Sequence, residues 1–335
     1  MKTASGSSKA AALVSLFFTI LLFVGAGWVL LNRQYVLDQL TVWQYKPSAE
    51  IAALADSSQM NDKGRFYFYA STPQLDGTTK FNDECRRQEQ GNAILGCYSG
   101  GHIFVYDIKD ERLKGVREVT AAHETLHAIY ARLSSGDKAR INTLLDAEYQ
   151  KLLTSQDAQL KERMEYYERT EPGERDNELH SIIGTEVAAI SPELEAYYRQ
   201  YFTDRHALVK LHDAYNSKFD TLEHTSTSLK AELEQLSSDI NTMTNQYNSN
   251  IQTLNNDIEV FNTRAARGGY TSQSEFQSAR TALVARVDEL KATRTSIDAK
   301  IADYETKRQA YNKTVDESNS LTRSLDSSLA PAPSI

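Results

Sequence analysis

Residues 120–129 read Thr-Ala-Ala-His-Glu-Thr-Leu-His-Ala-Ile. His123, Glu124 and His127 form His-Glu-x-x-His within a segment of helical character. Positions i and i+4 share a helix face, so both imidazoles can address one metal ion with Glu124 beside it. Zinc suits such a pair because it accepts neutral imidazole nitrogens and keeps one position open for water. A neighbouring carboxylate then takes the proton of that water, whose pKa the ion lowers. With 7 histidines in 335 residues, chance supplies this pattern on the order of 0.01 times.

The helix carrying the motif is expected to start between Val116 and Thr120 and to run to Leu133. Ser134-Ser135-Gly136-Asp137 supplies its stop and the next helix's cap. Asp137 to about Arg169 reads as one helix with Ile141, Leu144, Leu145, Tyr149, Leu152 and Leu153 on one face. Pro172-Gly173 breaks it. A third helix is expected from Asn177 to Ile190, and Ser191-Pro192 opens a fourth, with Ser as N-cap and Pro in the first turn. Upstream, Pro47-Ser48 starts a short helix over Ala49–Leu54. Arg65-Phe66-Tyr67-Phe68-Tyr69 reads as an aromatic-rich strand. His102–Tyr106 reads as a second strand, introduced by the turn cluster Ser99-Gly100-Gly101. The fold class is therefore α+β, mostly α, with a small sheet ahead of a helical body over residues 61–204.

Residues 10–31 carry no charge and are rich in Leu, Phe, Val and Ile, long enough to cross a bilayer as a helix. Lys2 and Lys9 precede this stretch, which favours a cytoplasmic segment 1–9, a single span and an extracytoplasmic body at the cell membrane. A cleaved signal peptide competes, with small residues at Gly25-Ala26-Gly27. Trp28-Val29-Leu30-Leu31 nevertheless extend the apolar run past a usual signal core. Residues 32–60 then form a juxtamembrane connector. In an exported body Cys85 and Cys97 pair as a disulfide, with two buried free thiols as the alternative. Two thiols without a Cys-x-x-Cys pair do not build a zinc finger. A net charge of −8 with scattered basic residues gives no nucleic-acid footprint.

Beyond residue 204 the pattern changes. Leu229, Leu233, Leu236, Ile240, Met243 and Tyr247 step by four and three, and Leu283, Val287, Leu290, Ile297 and Ile301 begin a second such run. Sustained heptads with charged flanks predict a long antiparallel coiled-coil hairpin over 205–327, turning near 265–272. Ser272-Gln273-Ser274-Glu275 is a capping box that restarts the helix after the turn. Each arm of roughly 45 residues would extend about 70 Å. Residues 328–335, with Pro331 and Pro333, are expected to be a disordered tail.

Two histidines and a water leave a catalytic zinc one protein ligand short. Tyr130 and Leu133 stand where a metzincin would carry Gly and His, which excludes that pattern. The motif, its uncharged or apolar flanks Thr120, Ala121, Leu126 and Ile129, and the Asn177-Glu178 opening of a downstream helix resemble the gluzincins, the thermolysin-like zinc peptidases. The resemblance spans at most about residues 66–202, and only the His-Glu motif in it is specific. It implies a zincin-like catalytic domain with one Zn2+ held by His123, His127 and Glu178, and Glu124 as general base. Glu178 lies 51 residues past His127, farther than in thermolysin-like enzymes. Ile182 stands where those families often have an Asp supporting a histidine. Glu186, on the same helical face as Glu178, is the alternate ligand or the source of that support, with His180 a third candidate.

The expected function is a membrane-anchored, extracytoplasmic zinc metallopeptidase, its peptide or protein substrate lying against an edge strand near His102–Tyr106. The rival is a surface adhesion or scaffold protein that binds a partner or itself through the coiled coil, its metal site structural or inactive. His102, His206, His212 and His224 read as structural or exposed, and no tyrosine among 18 is singled out for the oxyanion.

Overall fold

α-Helices dominate this computed structural model, which describes residues 6–85, 93–154, 158–170 and 172–328, with one small mixed sheet among them. The chain divides into two units, residues 1–216 with 321–335, and residues 217–320.

The first unit begins with α1 (Gly6–Leu31). Its Ala11–Leu31 stretch of 21 residues is long and apolar enough to cross a membrane. Asn32, with ψ of 27°, interrupts the helix before α2 (Arg33–Gln44). α3 (Ala49–Ser57) starts where expected, the Ser48 side chain accepting a hydrogen bond from the Ile51 amide. Residues 32–60 do more than connect: Ile51, Leu54, Ala55 and Met60 lie in the main core, and Met60 bridges to Phe202.

Residues 65–69, expected as a strand, lie instead in α4 (Asp62–Ala70). The Asn61 carboxamide accepts from the Lys63 and Gly64 amides, which satisfies the orphan donors of a helix start. At Gly64 an added Cβ would sit 2.3 Å from the Tyr201 carbonyl oxygen, so α4 approaches that backbone more closely than a side chain permits. Phe68 is fully buried. Strand preference of aromatic residues is a packing effect, and here the packing favours a helix.

β1 (Gln74–Asp76), α5 (Thr78–Glu84), β2 (Gly96–Ser99) and β3 (His102–Tyr106) follow. The sheet order is β1-β3-β2, with β1 parallel and β2 antiparallel to β3. Gly100 and Gly101, both at positive φ (58° and 87°), make the two-residue turn between β2 and β3. β3 is thus the central strand and not an edge, which removes His102–Tyr106 as a peptide-docking edge. β2, which sequence reading missed, is an edge strand. The Cys85–Cys97 disulfide joins the end of α5 to β2, with Cα atoms 5.8 Å apart.

α6 (Val116–Arg132) crosses the core, with Ala121, Ala122, Leu126 and Ala128 fully buried. The helix expected over residues 137–169 is described as α7 (Ser135–Thr154) and α8 (Ala158–Thr170); residues 155–157 between them lie outside the described residues. α9 (Arg175–Thr185) ends before Ile190, its last turn closed by the Glu186 amide on the Ile182 carbonyl. α10 (Pro192–Tyr198) has the expected Ser191 cap and Pro in its first turn. α11 (Arg205–Ala266) and α12 (Gln273–Leu325) complete the chain. Of the expected tail, residues 329–335 lie outside the described residues.

Within the second unit, Asp257 pairs with Arg286, Asp239 with Lys300 at 2.8 Å, and Glu232 with Lys307 at 2.6 Å. Partners descend α11 as they ascend α12, so the two helices run in opposite directions. Near the turn, the rings of Phe261 and Phe276 lie 5.2 Å apart. The Ser272 hydroxyl accepts from the Glu275 amide at 3.1 Å, capping α12 as its sequence predicts.

Candidate metal centre

The site is built where α9 meets α6. Gly184 makes the approach possible: a Cβ there would lie 2.4 Å from Leu126 Cδ1 and 2.7 Å from Tyr198 Cε1. Both helices are therefore drawn together, and Glu178, in the first turn of α9, faces the histidines of α6. The rings of His123 and His127 lie 4.8 Å apart on one face. Glu178 Oε1 is 3.4 Å from His127 Nε2, and its Oε2 is 3.6 Å from His123 Nε2.

Ligand atoms of His123, His127 and Glu178 all lie within 4.8 Å of one another, so the three form a group that could hold a metal ion. Two tests favour the fit. Ligands about 2.1 Å from a tetrahedral ion stand about 3.4 Å apart, close to the 3.4 and 3.6 Å between Glu178 and the two histidines, which are long for hydrogen bonds. Glu178 Oε2 is also buried without a hydrogen-bond donor, an orphaned acceptor that a cation would satisfy.

The electrostatics point the same way. Burial opposes charge on His123, yet the carboxylates of Glu178, Glu124 and Glu186 around it outweigh that penalty and raise the pKa. Burial likewise opposes ionisation of Glu178, but His127, His123 and Arg163 hold its carboxyl below the ordinary value. A buried cluster whose carboxylates favour positive charge is suited to a cation.

His127 is hydrogen-bonded on its other ring nitrogen, whereas His123 has a carboxylate beyond hydrogen-bond distance there. The Ser181 hydroxyl donates to the Asn177 carbonyl at 3.2 Å, so at 3.3 Å it accepts from His127 Nδ1–H. That fixes the tautomer with the Nε2 lone pair toward Glu178. His123 Nδ1 faces Glu186 Oε1 at 3.9 Å. Glu186 Oε2 is in turn held by Arg163 Nη1 at 2.7 Å and lies 3.4 Å from His212 Nε2. Of the two glutamates, the structure brings Glu178 into the three-residue group and sets Glu186 behind His123.

Glu124 is buried and borders the same cleft. The β2 backbone lies against it, since a Cβ on Gly96 would approach Glu124 Oε1 to 2.9 Å. His180 stands apart from the group. Its Nε2 pairs with the Tyr197 hydroxyl at 2.9 Å, and burial, aided by His127 and His123, pushes its pKa down to about 3. It is a neutral core histidine. The cleft encloses about 1450 Å³ and runs from His123, His127 and Glu178 past β2, Tyr166, Tyr167 and Tyr215.

Sequence reading did not find Ser181, Arg163 or the place of His212. Ser181 carried a signal, since it follows Glu178 by three residues on the same helix face. Arg163 and His212 carried none, because separate helices bring them in.

No family model, curated protein or solved structure matches the chain.

Proposed function

We propose that the chain is a membrane-anchored, extracytoplasmic zinc metallopeptidase with a zincin-like, gluzincin-type catalytic unit. The observation that carries this reading is the Glu178 carboxylate facing both Nε2 atoms of the His-Glu motif, with Glu124 in the same cleft. Two imidazoles and one carboxylate are a donor set of catalytic zinc. Zinc, when bound, supplies a water of lowered pKa and polarises the scissile carbonyl. His123, His127 and Glu178 would hold it. Glu124 takes the proton of the attacking water and returns it to the leaving amine. Ser181 keeps His127 in the right tautomer, and Glu186, paired with Arg163, sets a negative charge behind His123. The cleft exceeds the roughly 300–1,000 Å³ of a small-molecule pocket, which favours a polypeptide substrate. Such a substrate would lie along β2, the edge strand bordering the cleft.

The test is peptide cleavage by the purified full-length chain, with zinc measured alongside. Glu124→Gln should retain zinc and lose about 10²–10⁴ of the activity. A variant with undiminished cleavage would overturn the mechanism.

The pairing of α11 with α12 supports a second reading, in which a coiled-coil hairpin makes the protein an adhesion or scaffold protein. Excising residues 217–320 separates the two. A peptidase keeps cleaving short peptides, whereas a scaffold loses its partner or its self-association.

A further inference from the structure

In the first unit beyond α1, the large apolar side chains exposed among the described residues are Tyr35, Leu37, Leu40 and Trp43, and all four sit on α2. Trp43 is 68% exposed, an unusual state for the bulkiest apolar side chain. Leu37, Leu40 and Trp43 step by three residues and so follow one side of the helix. The opposite side carries Asp38, buried in an ion pair with Arg132 of α6. Tyr35 packs on Phe66 at 5.9 Å, and just past the helix the Tyr45 hydroxyl donates to the Pro73 carbonyl at 2.7 Å. α2 is thus fixed to the body by one face and presents a bare apolar stripe on the other.

We infer that this stripe seats on the surface of a lipid bilayer. Three features of the helix select lipid as its occupant. α2 starts two residues after Leu31, the end of the stretch apolar enough to cross a membrane, so it lies where such a span would leave the bilayer. Asn32 breaks the helix between them, which lets α2 leave the line of α1. The only charges on α2 are Arg33 and Asp38, and Asp38 is committed to Arg132, so leucines and tryptophan share the outer side with uncharged Gln and Thr. Trp and Tyr favour the headgroup layer, where an apolar ring and a polar edge are both accommodated. A helix that exposes leucines and tryptophan beside polar, uncharged residues suits an interfacial position. The inference rests on α1 lying in the bilayer and is independent of any peptidase activity.

The chain's two tryptophans make a direct test, because Trp28 lies in α1 and Trp43 in α2. The full-length chain is reconstituted in phosphatidylcholine vesicles as Trp28→Phe, which reports Trp43 alone, and as Trp43→Phe, which reports Trp28 alone. Acyl-chain-brominated phosphatidylcholine should remove most of the emission in both variants, and aqueous iodide little of it. Trp43 that stays bright in brominated lipid and is quenched by iodide, while Trp28 is lipid-quenched, overturns the inference. Trp43 shielded from both quenchers until the protein is diluted in lipid identifies a second copy as the occupant and overturns it too. Trp28 insensitive to brominated lipid removes α1 from the bilayer and the inference with it.

Discussion

Asp38 and Arg132, 94 residues apart in sequence, meet through two hydrogen bonds of 2.9 Å, Nε to Oδ2 and Nη2 to Oδ1. Arg132 also donates to the Tyr98 hydroxyl on β2 at 3.0 Å, so one guanidinium ties α2, α6 and the edge strand together. Removing one partner leaves a buried charge without compensation. Asp38→Ala should therefore lower the unfolding free energy by about 3–5 kcal/mol, and Arg132→Met on that background should recover part of it. Denaturant unfolding of the detergent-solubilised chain measures both. A single variant as stable as the parent would show that the pair contributes nothing.

Glu178 and Glu186 separate by what they face. Glu178 points at two Nε2 atoms, whereas Glu186 backs His123 from Nδ1 and is anchored by Arg163. Glu178→Ala should lose stoichiometric zinc on dialysis. Glu186→Ala should keep the site but weaken it by about 10- to 100-fold, as loss of outer support does elsewhere. Competition with a chromophoric chelator gives the affinities, and the reverse order would exchange the two roles.

Gly184 and Gly136 are both helical glycines with opposite surroundings. A methyl at Gly184 collides with Leu126 and Tyr198, while at Gly136 the nearest atom is Ser134 Oγ at 3.9 Å. Gly184→Ala should cost about 1–3 kcal/mol by overpacking and weaken zinc binding as α9 is pushed from α6. Gly136→Ala should instead stabilise the chain by about 0.5–1 kcal/mol through helix propensity. Equal effects at the two positions would mean that the helices are not packed through Gly184.

How far the sequence reveals this protein follows from the range of each signal. Motif spacing placed His123 and His127 on one helix face, and capping placed the starts of α3, α10 and α12, because those are interactions within a few residues. The paired cysteines, the apolar N-terminal helix and the mostly helical fold were likewise legible. Phe66–Tyr69 misled, since an aromatic run has no helical period, and core packing of Phe68, the close approach to Tyr201 and the Asn61 cap favour a helix there. β2 was too short to show a period. Choosing between Glu178 and Glu186 required knowing which side of His123 each occupies, and that depends on how closely Gly184 lets two helices approach.

Glu275, at the start of α12, makes the stability of the turn depend on pH. Its carboxylate accepts from the Thr271 hydroxyl and amide, both at 2.7 Å, and pairs with Arg264. The Thr271 hydroxyl, the Thr271 amide and Arg264 outweigh a small desolvation penalty and pull its pKa down to about 2 from the ordinary 4.5. The unfolded chain then binds the extra proton between those values, so stability of the turn rises with pH across that window. The contribution is complete above about 4.5 and is lost as the pH falls toward 2. A carboxyl-carbon NMR titration of selectively labelled protein should place the Glu275 midpoint near 2. Thr271→Val removes the hydroxyl but leaves the amide, so the midpoint should return only part of the way. A parent chain in which Glu275 titrates at the ordinary value would mean that the turn is not closed by this carboxylate.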